Sequence, residues 1–361
     1  MTELKQNLEN IQRKAIERTV KTQTIEYDLE TMVKKIDKHV IKLNPDYQRR
    51  HRWSPEFSSR LIESLILNIP VPFIYISQDV DVDEEVENDI SRYSVIDGQQ
   101  RLTAIYEFFK NKYALDGLDV LRELNGSFYK DLPSFLIRRL EERTIRCLRI
   151  DSTLDGQVKY DIFERLNSGS VKLEAQELRN AVCRGPFKDL IKKLAKSDDF
   201  VALANLDPEG KRVEKMEDEE LVVRYFALSF ENGYQSYKGG FKKFLTEKME
   251  YFNTLSLAKL VEMEQNFLET FAYISKSSIE NPFSKYKVDD DGQLARMSKF
   301  NAAVYDSIIV PLSQSDKEGI FDIDAFRELF KDKEYFSAVE GSVNDVSKLN
   351  TRISKGLEAI R

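Results

Sequence analysis

Between Tyr93 and Phe109 the apolar pattern changes period at a single glycine. In YSVIDGQQRLTAIYEFF an extended run ends at Ile96, and Leu102, Ile105, Tyr106 and Phe109 then recur at helical spacing. The junction predicts a strand passing directly into a helix that opens at Gly98. A helix start offers unpaired backbone N–H groups and the positive end of the dipole, and both favour a phosphate. Gly98 removes the side chain that would block close approach. Arg101 can add a charge-assisted bond to a phosphate oxygen, and Gln99 and Gln100 add neutral donors. A plainer reading stands beside this one: Asp97 and Gln100 have the D-x-x-Q spacing of a capping box.

Around this junction the chain reads as mixed helix and strand. Glu3–Val20 is a charged amphipathic helix, Thr22–Tyr27 alternates like a strand, and Leu29–Lys38 is a second helix. Ile41–Leu43 is short and extended before the Asn44-Pro45 turn. Ser54–Asn68 is a strong helix, with Ser54 as N-cap, Pro55 in the first turn, and Phe57, Leu61, Leu65 and Ile66 on one face. Phe73–Gln78 and Thr144–Ile150 are strand-like, and the acidic stretch Asp79–Asp89 reads as a solvated insertion. From Val158 onward nearly every periodic segment is helical, including Glu217–Phe230, Tyr237–Tyr251, Leu255–Ile274 and Leu294–Leu312. A boundary is placed near residue 183, before Gly185-Pro186.

Two further stretches can carry chemistry. NPDYQRRHRW, Asn44–Trp53, interleaves Tyr47, His51 and Trp53 with Arg49, Arg50 and Arg52, which suits contact with phosphate and base. The same aromatics could instead anchor the next helix while the arginines are solvated. Arg138, Arg139, Arg143, Arg146 and Arg149 extend the basic character. In FERLNSGSVKLEAQELRNA, Glu164 and Asn167 supply oxygens that could help hold Mg²⁺, which keeps most of its waters and needs only one or two protein ligands. On spacing alone Asn167 is as well explained by a helix end, with Gly169 making the reversal.

Composition narrows the classes. The net charge is −7, 41% of residues are hydrophobic and 32% are charged, as expected of a folded globular chain of about two domains. No apolar run approaches the ~20 residues of a membrane-spanning helix, and the N-terminus lacks the apolar core of a secretory signal. Two cysteines, Cys147 and Cys183, exclude a disulfide scaffold and fit a reducing compartment. Two histidines, His39 and His51, leave too few for a His-Asn-His nuclease. No Gly-x-Ser-x-Gly or Walker-type loop is present.

Taken in order, NPDYQRRHRW, LIESLILNIPVPFIYI, VIDGQQRLTAIYEFF and FERLNSGSVKLEAQELRNA resemble the N-terminal domain of GmrSD-type restriction enzymes, the DGQQR-motif family. Their order is also similar to the ParB/sulfiredoxin-like fold. The resemblance spans residues 20–185, and KMEDEELVVRYFAL and FNAAVYD further on resemble the family as well. It implies an α+β fold: a ParB/sulfiredoxin-like DGQQR nucleotide-binding domain over residues 1–183 and a mostly helical domain over 184–361. It also implies a cytoplasmic defence protein that binds and hydrolyses a nucleoside triphosphate (GTP, ATP or CTP) with Mg²⁺. Carried over by position, Asp97, Gln99, Gln100 and Arg101 are catalytic. Gly98, Tyr47, Gln48, Arg49, Phe163 and Asn167 surround the nucleotide, Asp97 and Glu164 hold the metal, and Arg50 and Arg52 meet DNA. Larger relatives carry a His-Asn-His nuclease; with histidines only at 39 and 51, DNA cleavage is expected from a separate nuclease subunit. No cysteine sits in the DGQQR loop, so sulfiredoxin chemistry is not expected. The alternative is a DNA-binding or non-catalytic interaction module without triphosphatase activity.

Overall fold

A five-stranded mixed sheet organises the first part of the chain. A computed structural model describes residues 21–43, 53–78, 93–150, 156–166, 174–183, 185–341 and 344–360. The expected helix over Glu3–Val20 and the acidic stretch Asp79–Asp89 lie outside the described residues. The chain divides into two compact units, Met1–Leu173 and Glu174–Arg361.

In the first unit the strands are β1 (Thr22–Asp28), β2 (Ile41–Lys42), β3 (Ile74–Gln78), β4 (Tyr93–Asp97) and β5 (Thr144–Ile150), in the order β1-β5-β3-β4-β2. β1 runs antiparallel to β5, β5 parallel to β3, β3 antiparallel to β4, and β4 parallel to β2. Strand β5 shows why these residues form a sheet: in TIRCLRI, Ile145 and Cys147 point into the core, while Thr144 and Arg146 between and beside them stay exposed. Four helices share a core with the sheet: α1 (Leu29–Asp37), α2 (Pro55–Ile66), α3 (Gln99–Phe109) and α4 (Ser134–Glu141). Asp28 caps α1 through the Thr31 N–H, and Ser54 caps α2 through the Phe57 N–H. The core joins Leu29 and Met32, Ile62 and Leu65, Ile74 and Ile76, Val95, Leu102, Ile105 and Phe108. Each such side chain stabilises the fold by about 1.5–3 kcal/mol when fully buried. A fifth helix, α5 (Gly156–Leu166), packs on β4 and buries Tyr160 and Phe163.

Helix α2 also carries a buried carboxylate. Glu63 accepts N–H bonds from Asp119, Val120 and Leu121 at 3.3, 2.8 and 2.7 Å, gathering the loop before α4 onto the helix. Burial alone would raise this carboxyl; the three donors outweigh it and hold the group below the usual range.

The second unit is helical apart from a hairpin. Its helices are α6 (Ala175–Val182), α7 (Pro186–Leu194), α8 (Asp198–Leu203), α9 (Lys211–Glu214), α10 (Glu217–Ser229), α11 (Gly233–Ser236) and α12 (Phe241–Asn253). They continue with α13 (Leu257–Lys276), α14 (Ala302–Gln314), α15 (Ile323–Glu328), α16 (Lys333–Ala338) and α17 (Val346–Ala359). Phe187, Phe226, Phe252, Phe267 and Phe271 are all buried in its core. The hairpin, β6 (Lys285–Val288) and β7 (Leu294–Ser298), corrects the expected helix over Leu294–Leu312. Gly292 adopts φ 78° in its turn, and Asn301 then caps α14 by accepting from the Ala303 and Val304 N–H groups. One long apolar period was in fact a strand followed by a capped helix.

A carboxylate between two arginines crosses this core. Asp306 of α14 receives Arg224 of α10 on both oxygens, Nη2 to Oδ2 being 2.5 Å. Arg352 of α17 reaches the same Oδ2 from Nη2 at 2.6 Å. All three side chains are buried, and Arg224 also lies over the Phe241 ring. The segments KMEDEELVVRYFAL and FNAAVYD meet at this Arg224–Asp306 pair. Among the described residues no helix is long and apolar enough to cross a membrane.

Candidate functional site

The turn from β4 to α3 is built around one residue. Gly98 is the N-cap of α3 and sits at φ 93°, in the left-handed region that favours glycine. A Cβ there would lie 2.3 Å from Ile74 Cδ1 and 3.2 Å from Arg101 Nη2, so both the backbone angle and the packing demand glycine. Having no side chain, Gly98 gives α3 no side-chain cap. This corrects the capping box expected from Asp97 and Gln100: Asp97 is the last residue of β4, one position too early to cap.

Both of those side chains have other partners. Asp97 Oδ2 accepts from Arg101 Nη2 at 2.7 Å. Arg101 Nη1 donates to the carbonyls of Pro72 and Phe73 at 2.6 and 3.1 Å. The guanidinium therefore staples the chain entering β3 to the end of β4, and its side chain is only 13% exposed against 38% for Asp97. Gln100 Oε1 accepts the main-chain N–H of Trp53 at 3.2 Å, which joins the end of NPDYQRRHRW to the DGQQR turn. Gln99 is buried.

The remaining expected residues divide into three groups. Phe163 is buried where α5 meets β4, a packing position, while its neighbour Glu164 is exposed on the same helix. Tyr47, Gln48, Arg49, Arg50, Arg52 and Asn167 lie outside the described residues. Of the other arginines, Arg138 and Arg139 are exposed on α4. Arg143 bonds Asn68 and the Ile69 carbonyl, Arg146 pairs with Glu26 at 2.9 Å, and Arg149 donates to Gln23 at 2.5 Å. Three of the five are thus engaged by the fold. Among the described residues no three His, Cys, Asp or Glu side chains cluster as a metal site. Asp97, partly exposed and with Oδ1 outside the Arg101 pair, is chemically suited to one contact with a hydrated Mg²⁺. Cys147 and Cys183 are both buried, and burial pushes the Cys147 thiol up to about 12, far from a nucleophile's range.

Residues 29–183 match the family model for the GmrSD restriction endonuclease, N-terminal domain. They form a GmrSD-type N-terminal domain. Searches of curated proteins and of solved structures return no match. The GmrSD-type domain thus contains the whole DGQQR turn, the Trp53 tie and the α2 helix. The carbonyls of Pro72 and Phe73 and the Ile74 methyl, which shape the turn, were not foreseen. Pro70 and Pro72, just before β3, were the only hint that the chain bends there.

Proposed function

We propose that the GmrSD-type domain binds a nucleoside triphosphate with Mg²⁺ at the DGQQR turn and hydrolyses it, in a cytoplasmic, restriction-related defence protein whose DNA-cutting step belongs to a separate nuclease. A ParB/sulfiredoxin-like relation of its sheet is part of the same reading. The observation that carries it is the start of α3: a helix N-terminus without a side-chain cap, at a glycine, inside a GmrSD-type domain. In this arrangement the backbone of Gln99 and Gln100 faces phosphate, and Asp97 offers Oδ1 to the metal. Arg101, committed to Asp97 and two carbonyls, holds that carboxylate in place. The metal would supply charge neutralisation on the phosphates. Arg50 and Arg52, with exposed Arg138 and Arg139, are the proposed DNA contacts; binding through them falls steeply with salt.

Phosphate release from GTP, ATP and CTP, with Mg²⁺ and with chelator, tests the reading. Release by the parent protein that is lost in Asp97→Ala and Arg101→Ala is the expected result. Equal background rates in all three proteins remove the enzymatic claim.

One observation favours a second reading. The bonds of Arg101 to Asp97, Pro72 and Phe73 give the motif a purely structural use, as in a non-catalytic interaction module. In that case no nucleotide raises the melting temperature, whereas a ligand at 100 times its Kd adds about 2.7 kcal/mol.

A further inference from the structure

Phe57, in the first turn of α2, is 63% exposed, although its spacing with Leu61 and Leu65 places it on the face expected to be buried. Trp53, half-buried, stands one helical turn earlier; the two ring centroids are 6.5 Å apart and the planes are inclined by 48°. The pair is not remote from the DGQQR turn. The Trp53 main-chain N–H is hydrogen-bonded to Gln100 Oε1 at 3.2 Å, and Gln100 is the second residue of α3. An aromatic pair open to water and an uncapped helix start are therefore joined by a single hydrogen bond. Among the described residues Asp97 and Arg101 form an ion pair at this turn, and the aromatic pair adds an apolar surface beside it.

We propose that Trp53 and Phe57 form a shelf on which the base of a nucleoside triphosphate stacks while its phosphates face the start of α3. The proposal rests on the nucleotide reading above and adds the base subsite to it. Every base has a π-face, so aromatic stacking is tolerant of base identity. The shelf separates a nucleotide from bare triphosphate and discriminates little among GTP, ATP and CTP.

Trp53 is the chain's only tryptophan, so its emission reports on this shelf alone. The full chain is titrated with inorganic triphosphate and with each nucleoside triphosphate in Mg²⁺, following fluorescence and calorimetric heat. The expected result is quenching by nucleotides but not by triphosphate, with nucleotides binding about tenfold or more tightly. Phe57→Ala, an exposed position, lowers nucleotide affinity toward that of triphosphate and leaves triphosphate binding unchanged; Phe57→Tyr restores the difference. Equal affinities with unchanged tryptophan emission overturn the shelf while the phosphate site stands. A nucleotide preference that survives both Phe57→Ala and Trp53→Ala also overturns it, because the base then lies elsewhere. If neither nucleotide nor triphosphate binds, the nucleotide reading falls and the shelf falls with it.

Discussion

Arg101 Nη2 meets Asp97 Oδ2 at 2.7 Å across the turn that Gly98 makes between β4 and α3. The two charged residues of the motif thus face each other before any ligand arrives, and their roles separate by substitution.

Arg101→Ala removes bonds to one carboxylate and two carbonyls from a site that is mostly buried. It is expected to destabilise the first unit by about 1.5–3 kcal/mol, the range for hydrogen bonds to charged groups. Urea unfolding measures this. An unchanged midpoint together with lost phosphate binding would show Arg101 reaching the ligand instead.

Asp97→Asn keeps an acceptor for Arg101 and removes the negative charge. Nucleotide affinity in chelator should stay near that of the parent, while the gain on adding Mg²⁺ disappears. Calorimetric titration in both conditions decides it: a full Mg²⁺ effect in the Asn variant assigns Asp97 to holding Arg101 and nothing more.

Gly98→Ala introduces a Cβ 2.3 Å from Ile74 Cδ1 at a φ of 93°. The backbone angle and the clash together are expected to cost about 1–3 kcal/mol. Ile74→Val deletes the clashing methyl, so the double variant should lose less stability than the sum of the two singles. Additive losses in a double-mutant cycle would mean that the strain is wholly in the backbone.

Asp306→Asn leaves Arg224 and Arg352 buried without a compensating charge. Breaking such an arrangement from one side costs about 3–5 kcal/mol, measurable as a large fall in thermal stability of the helical unit. A loss below about 1 kcal/mol, the range of an exposed pair, would show that water reaches the arginines.

Two carboxylates should respond to pH in opposite directions. Glu219 of α10 is raised by burial, with Asp218 adding repulsion and the Asn180 amide at 2.5 Å only partly opposing it. Its contribution is present below the unfolded pKa and is lost as pH rises through the folded value. Glu63 is held low, so its contribution is present above the ordinary range and is lost as pH falls through the folded value. Glu219→Gln should flatten the decline of stability above the ordinary carboxylate range, and Glu63→Gln the decline on acidification. Unfolding curves across pH 3–8 whose slopes match the parent in both variants would refute the assignment.

The parts of the fold that were legible in the sequence are those where one local signal sufficed. Thr144–Ile150 is rich in β-branched and apolar residues, alternates in its first half and is strand β5 with those bounds; Ser54-Pro55 marks the cap and first turn of α2. Phe57 misled because helical periodicity identifies a face but not where the neighbouring elements end. Asp97 misled for a related reason: the cap position moved one residue along when Gly98 took the left-handed angle. Arg101's carbonyl partners are 28 and 29 residues away, and no spacing rule reaches that far. Arg224 and Asp306 lie 82 residues apart, and nothing in either segment alone points to the other.

Helix α6 ends within the GmrSD-type match, yet its polar residues answer to the second unit. Arg179 bonds Glu220 and Asn180 bonds Glu219, while Gln176 bonds both Arg179 and Asn180. Cutting the chain at Cys183 would leave that helix with an arginine and an amide stripped of their acceptors. The portable piece is therefore shorter than the match: a graft of this domain must stop before Glu174 or bring the helical unit with it, and swapping at residue 183 should yield insoluble chimaeras.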